Sequence, residues 1–313
     1  MSKKLIVTIP AYNEEESIAD VITSIPRQIH GIQKVEVLVV SDGSTDDTVK
    51  VAKKAGADHV YENPRNLGLA KTFKRLMDLA LEHDADFVIN TDADNQYDQS
   101  EIPKLAEPLV KGEAGMVLGD RQVKTLPHMP TSKKLGNRLG SAVVRMLSGL
   151  PLRDASTGFR GYSRDFLEHL HLFSAHTYTH ETIVFAANHT FRVKDVPVTF
   201  RRREYGESRL ISGVVPHIQK SMVVIIRSIL MYHAYKFMVI TGGLLMTLGA
   251  LIGVRFLFYY LTQGGQGMIQ SLILASILIS VGFTTSITGV LADLIKMNRE
   301  LLQELLYEQK RKK

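Results

Sequence analysis

The chain has 313 residues, and 38 Lys plus Arg against 32 Asp plus Glu give a formal charge of +6 with His neutral. At 45% hydrophobic and 22% charged it is neither disordered nor collagen-like. Its lack of cysteine excludes disulfides, thiolate zinc sites and cysteine nucleophiles.

The apolar run Leu5 to Ile9 follows Lys3 and Lys4 and is too short for a signal-peptide core, so it reads as a buried strand. Asn13 and Glu16 have the spacing of a capping box, and Ile18, Val21, Ile22 and Ile25 repeat at helical spacing. Val35 to Val40 is a nearly continuous apolar strand, as parallel sheets require. Ser44 and Asp47 open a short helix, and His59 to Tyr61 is a short strand. Then come a helix over Leu69 to Leu81, a strand over Phe87 to Thr91, a helix over Ser100 to Val110 and a strand over Gly115 to Gly119. Strands alternating with helices imply a doubly wound parallel α/β sheet, whose ligands sit at the carboxyl ends of the strands.

The C-terminal third differs. Val215, Ile218, Met222 and Ile225 alternate with His217, Lys220 and Arg227, the pattern of a helix lying in a membrane interface or packed on a soluble domain. Phe237 to Val254 is uncharged and about 27 Å long as a helix. Met268 to Leu291 is a second uncharged run. Basic residues flank both runs on their outer sides, so both ends are expected in the cytoplasm with a small outer turn. The expected domains are 1–210 for the α/β domain and 211–235 for the interface helix. Residues 236–292 hold two transmembrane helices, at about 237–261 and 268–291, and 293–313 form a basic helix or tail. Gly242, Gly243, Gly249 and Gly253 could allow close helix contact and a homo-oligomer through the hairpin.

Chemistry-bearing residues gather at strand ends. Asp92, Asp94 and Gln96 share one face of an extended segment, and their hard oxygens suit Mg²⁺ or Mn²⁺. An acidic turn solvating a loop is the blander alternative. Asp42-Gly43-Ser44 offers an acceptor for a base or ribose, or else a turn and cap. In Pro10-Ala11-Tyr12-Asn13-Glu14 the ring could stack on a base. Asp154 to Arg160 combines an acid, hydroxyls and a glycine; Asp154 could be a base, orient an acceptor or cap a turn. Arg201, Arg202, Arg203 and Arg209 match diphosphate oxygens or anionic lipid. Lys133, Lys134, Asn137 and Arg138 form a further basic patch, and Arg121 ends a strand. No Gly-x-Gly-x-x-Gly, Walker loop, Gly-x-Ser-x-Gly or His-Glu-x-x-His occurs.

Taken in order, these motifs resemble the family-2 glycosyltransferases of GT-A fold. The nearest branch is the polyprenyl-phosphate glycosyltransferases, typified by dolichol-phosphate mannose synthase. The motifs are Pro-Ala-Tyr-Asn-Glu, Asp42-Gly43-Ser44, Asn66-Leu67-Gly68, Asp92 to Gln96, Asp154 to Arg160, and Arg203 with Gly206 to Arg209. The resemblance implies an inverting, membrane-bound enzyme that moves a sugar from a nucleotide-sugar to polyprenyl or dolichyl phosphate. It favours a UDP-sugar, with GDP-mannose as the other donor, and a prokaryotic plasma membrane with the catalytic domain cytoplasmic. It implies that Pro10, Tyr12, Glu14, Asp42 and Asp92 hold the nucleotide, that Asp94 and Gln96 bind Mg²⁺ or Mn²⁺, and that Arg203 and Arg209 close over the diphosphate. Asp94, Asp154 and Arg203 would be catalytic, and Arg121, Lys133, Asn137 and Arg138 would hold the acceptor phosphate. Rival readings are a polysaccharide synthase, a non-catalytic scaffold and a nucleic-acid binder. The Gln-x-x-Arg-Trp motif of the first is excluded because the chain has no tryptophan. The last lacks an aromatic stacking platform beside its basic residues.

Overall fold

A computed structural model describes residues 3–127, 129–172, 178–203, 234–264 and 269–311. The chain divides into two compact units, Met1–Met222 and Val223–Lys313. The expected interface helix lies outside the described residues except for its last two positions, Ala234 and Tyr235.

The first unit is built on a seven-stranded sheet of order β3-β2-β1-β4-β6-β5-β7. The strands are β1 (Lys4–Ala11), β2 (Lys34–Ser41), β3 (His59–Glu62), β4 (Phe87–Asn90), β5 (Met116–Asp120), β6 (Arg160–Ser163) and β7 (Val193–Pro197). The helices are α1 (Ile18–Thr23), α2 (Thr48–Lys54), α3 (Leu69–Glu82), α4 (Ile102–Val110), α5 (Thr131–Ser148), α6 (Arg164–His169) and α7 (Thr179–Asn188). Both sheet faces are covered, which is why β1 and β2 read as unbroken apolar runs. Leu5, Val7 and Ile9 pack on one side with Ile18, Val21 and Leu105, while Ile6 packs on the other with Phe73, Leu76 and Phe166. Phe73 is fully buried and stacks on Tyr178 at 3.8 Å, so Phe73→Ala should cost about 3–5 kcal/mol.

The sheet is mixed rather than wholly parallel. β6 runs antiparallel to both β4 and β5, whereas the pairs β1–β2, β1–β4, β2–β3 and β5–β7 are parallel. The capping box expected at Asn13 is absent. Asn13 adopts φ 52° and its side-chain oxygen accepts from Thr45 N at 2.7 Å, so α1 starts later, at Ile18, with Ser17 as N-cap. The helix expected from Ser100 begins as a 3₁₀ turn over Gln99–Glu101 before α4.

The second unit holds α8 (Ala234–Gln263) and α9 (Ile269–Arg311). Ala234–Thr262 and Ile269–Asn298 are long and apolar enough to cross a membrane, with mean hydropathies of 2.1 and 1.8. α9 runs through the expected boundary at 292 without a break, because the change from apolar to charged residues does not end a helix. Two of the four glycines serve contacts within the hairpin. A Cβ on Gly242 would strike Ser286 and Gly282, and one on Gly249 would lie 2.9 Å from Ala275 O. Gly243 and Gly253 face open space.

Candidate functional site

The loops after β1, β2, β4, β5 and β7 leave from one edge of the sheet, the carboxyl edge of its parallel strands. Because β6 is antiparallel, its entrance lies at that same edge. The loop Asp154–Phe159 therefore arrives beside Asp92 although it precedes a strand. Gly158 marks the contact: a Cβ there would come 2.6 Å from Asp92 Oδ2.

Asp42 is 5% exposed. Its Oδ1 accepts from Leu67 N at 2.9 Å and Asn63 Nδ2 at 2.8 Å, and its Oδ2 accepts from Gly68 N at 2.9 Å. This explains why Asn66-Leu67-Gly68 accompanies Asp42-Gly43-Ser44. Gly43 sits at φ 69°, and a Cβ would meet the Arg65 backbone at 2.5 Å. Tyr12 is half-buried and Pro10 is buried in β1. Glu14 N donates to Thr48 Oγ1 at 2.9 Å.

Asp92 and Asp94 follow β4. Burial, and then the Asp94 charge, push the Asp92 carboxyl up to about 7. Burial also raises Asp94, against the lowering charge of Arg203. Arg203 Nη1 lies 3.7 Å from Asp94 Oδ2, while Arg203 Nη2 donates to both oxygens of Glu14 at 2.6 and 2.7 Å. The 92–98 loop is tied to the end of the 199–203 segment. Arg201 N donates to Gln96 O at 2.7 Å, and Gln96 Nε2 donates to Arg201 O at 3.2 Å. Tyr97 tilts against Phe159 and Phe200, with both ring centroids 5.1 Å away. Its hydroxyl accepts from Gly158 N at 2.9 Å, and burial pushes it up to about 12.

On the other side of Asp92, Arg121 Nε donates to Asp154 Oδ2 at 2.6 Å, and Nη2 donates to Oδ1 at 3.1 Å and Ser156 Oγ at 2.7 Å. Asn137 Nδ2 donates to Asp154 Oδ1 at 2.9 Å and Ser156 Oγ at 2.7 Å. Burial opposes the Asp154 charge, but the Arg121 guanidinium and the Asn137 amide outweigh it and hold the carboxyl below its ordinary range. The Arg121 guanidinium lies 5.1 Å over the Phe200 ring.

The structure thus gathers Glu14, Asp92, Asp94 and Arg203, and beside them Arg121, Asn137 and Asp154. Lys133 and Arg138 are exposed on α5, away from the bonds around Asp154. Arg209 lies outside the described residues. Sequence reasoning passed over Tyr97 and gave Arg160 no role. Arg160 is fully buried and donates to Ala155 O, Thr157 O, Thr179 O and Thr182 Oγ1 at 2.7–2.8 Å. Arg160 opens the short strand β6, whose sequence Arg-Gly-Tyr-Ser carries no apolar pattern to mark it. Tyr97 lay one residue past the acidic run.

As a metal centre, the donor set fits a divalent cation: two neighbouring carboxylates whose ionisation is opposed by burial and, for Asp92, by the other's charge. Among the described residues no group of three or more His, Asp or Glu side chains stands ready to hold a metal by itself, so phosphate oxygens and water must complete any shell.

The model for glycosyl transferase family 2 matches residues 6–171. The chain belongs to this family and is a glycosyltransferase. Dolichyl-phosphate hexose transferase of Haloferax volcanii is 31% identical over 206 residues, covering 66% of this chain and 86% of that protein. Undecaprenyl-phosphate mannosyltransferase of Micrococcus luteus is 30% identical, covering 68% and 89%. Polyprenol monophosphomannose synthase of Mycolicibacterium smegmatis is 29% identical, covering 67% and 82%. Glucosyl-3-phosphoglycerate synthase of Mycobacterium tuberculosis, solved with phosphoglyceric acid, has a similar fold at TM-score 0.57 and 21% identity, over 71% of this chain and 80% of that one. The same synthase was also solved with Mn²⁺, UDP and phosphoglyceric acid, at TM-score 0.55 and 22% identity, over 73% and 78%.

Proposed function

We propose that this family 2 enzyme transfers a sugar from a UDP-sugar to a polyprenyl or dolichyl monophosphate at the cytoplasmic leaflet. The names of its relatives support a polyprenyl-phosphate acceptor, since they are transferases acting on dolichyl phosphate, undecaprenyl phosphate and polyprenol. The carrying observation is the pair of arginine cations around the half-buried carboxylates Asp92 and Asp94. Arg203 lies 3.7 Å from Asp94, and Arg121 is close enough to Asp92 for its charge to act there. Such an arrangement suits two phosphate-bearing substrates meeting at one point.

Pro10, Tyr12 and Glu14 border the nucleoside, over a floor shaped by Asp42. Asp94 and Gln96 would hold Mg²⁺ or Mn²⁺, with Asp92 beside them against the nucleotide, and the bound ion would neutralise diphosphate charge. Arg203 leaves Glu14 to meet the diphosphate. A phosphate oxygen of the acceptor attacks the anomeric carbon as the bond to the nucleoside diphosphate breaks, and the diphosphate departs with the electron pair. The product is inverted. The acceptor oxygen is already anionic, so Asp154 acts by holding Arg121 and Ser156 rather than by taking a proton. The two apolar helices anchor the catalytic unit to the membrane, with both termini cytoplasmic.

The test is incubation of the full chain with polyprenyl phosphate, Mn²⁺ or Mg²⁺ and a panel of UDP- and GDP-sugars, with the lipid product weighed by mass spectrometry. A glycosyl-phosphate lipid that Asp94→Ala abolishes supports the reading, and the productive donor separates UDP from GDP. Metal-dependent nucleotide binding without turnover on any donor would sink it in favour of a scaffold.

A further inference from the structure

Phe200 lies where the two halves of the site meet. It stands three residues before Arg203, in a segment that runs antiparallel beside the loop after β4 and is bridged there to Tyr97. Thr199 N donates to Glu101 Oε2 at 2.6 Å, Arg201 N to Gln96 O at 2.7 Å, and Arg201 Nη2 to Asp98 Oδ2 at 2.6 Å. These bonds fasten the segment to the loop through residues 199 and 201 and make no use of the Phe200 ring. That ring is half-buried. It meets Tyr97 in a T-shaped contact at 5.1 Å, and the Arg121 guanidinium lies over it, also at 5.1 Å. One side chain therefore touches both the loop that carries Asp94 and Gln96 and the arginine that grips Asp154.

The contact supplies a restraint that the hydrogen bonds of Arg121 do not. Those bonds run from Nε and Nη2 to Asp154 and Ser156. The N–H groups of a guanidinium lie in its plane, so bonds along one edge leave the group able to rock about that edge. A ring against its face opposes the rocking, and the cation is attracted to the face as well. Among the described residues Nη1 of Arg121 makes no hydrogen bond, so its N–H groups are the ones left to meet a ligand. We infer that Phe200 is a positioning residue, whose ring fixes the tilt of Arg121 and so aims Nη1 relative to the loop of Asp94 and Gln96. This rests on the acceptor phosphate proposed above as the ligand of Arg121. The ring would then set how the acceptor phosphate meets the donor, and orientation of that kind acts on the rate of the chemical step.

The test compares three variants of the full chain. Phe200→Leu keeps an apolar side chain and removes the ring, and Phe200→Tyr keeps the ring. Phe200→Met fills the space with a flexible apolar chain and takes the place of Phe200→Leu should that variant melt too low to assay. Without the ring, kcat should fall by up to about 10²-fold, the loss that a misplacement of about 1 Å brings. The acceptor KM should rise several-fold, while the donor KM and the calorimetric Kd for UDP with Mn²⁺ stay at wild-type values. Phe200→Tyr should recover most of kcat and the acceptor KM. Donor and acceptor constants that worsen together, in step with the melting temperature, would overturn the inference and leave Phe200 as packing. Wild-type kinetics in Phe200→Leu, or a Phe200→Tyr no better than Phe200→Leu, would also overturn it. Binding of farnesyl phosphate, followed by calorimetry, needs no turnover. If wild type binds it, Phe200→Leu binds it more weakly and neither makes a glycosyl lipid from any donor, the proposed reaction falls and the positioning role stands. A wild type that turns over beside an unimpaired Phe200→Leu would count against Phe200 alone. A wild type that neither binds farnesyl phosphate nor turns over would overturn both.

Discussion

Arg121 grips Asp154 through two parallel hydrogen bonds, Nε to Oδ2 at 2.6 Å and Nη2 to Oδ1 at 3.1 Å. The Asp154 side chain is 2% exposed and that of Arg121 is 12%. A carboxylate so engaged is ionised and a poor proton acceptor. Breaking a buried pair from one side costs about 3–5 kcal/mol. Asp154→Asn should therefore lower the melting temperature and turnover together. Because the folded carboxyl is held low, its stabilisation is present above the ordinary Asp value of 3.8 and fades as pH falls through the depressed one. Thermal melts should thus show the mutant penalty shrinking only in strong acid. Turnover should show no titration assignable to Asp154 near neutrality; a neutral-pH limb that vanishes in Asp154→Asn would make it a base after all.

Arg203→Ala should cut turnover by about 10²–10³-fold, the usual loss for one donor to developing negative charge. Arg203→Lys should recover only part, because a single ammonium does not reproduce a guanidinium that meets Glu14 through Nη2 and faces Asp94 through Nη1. Steady-state rates at saturating donor decide this. Wild-type turnover in Arg203→Ala would remove the residue from the reaction.

Asp92 binds its proton more tightly folded than unfolded, with a value of about 7 against 3.8. Its contribution to stability is full below about 3.8 and is lost as pH rises through about 7. In chelator, Asp92→Asn should therefore melt higher than wild type above about pH 7, and the gap should close in acid. Mn²⁺ should raise the wild-type melting point more than that of the variant. Equal melting curves at every pH would refute the strained-carboxylate picture.

Arg160→Met would leave Ala155 O, Thr157 O and Thr179 O without that donor. Each unsatisfied buried acceptor costs about 1–3 kcal/mol. A loss well above that of an ordinary surface change is expected, with turnover falling even in protein that remains folded. Arg160→Lys should restore a fraction. Thermal inactivation rates and turnover at low temperature separate the two effects.

Much of this was legible in residue patterns. Continuous apolar runs point to β1 and β2 because both sheet faces are covered, and the acids after β2 and β4 mark the carboxyl edge of the parallel strands. β6 escaped notice because Arg160 to Ser163 is four residues long and alternates with no period. Its antiparallel insertion is a tertiary choice. Asn13 misled for a physical reason. Its side chain fastens the 44–45 turn to the first loop, a contact 32 residues distant in sequence that no local spacing reports. The charge change near residue 292 marks a change in composition and not the end of a helix, since α9 continues through it to Arg311.

The reversed strand β6 also divides labour along the chain. Under the proposed reading, the donor is met by segments before residue 100 and again by Arg203, whereas the lipid phosphate is met by the stretch from Arg121 to Asp154. The acceptor-reading stretch is thus one continuous insert, entered from β5 and closed by a strand that fills the gap between β4 and β5. Such an insert can be exchanged as a cassette. Grafting residues 121–159 from a relative with a different lipid should change acceptor choice while the nucleotide preference stays with the host.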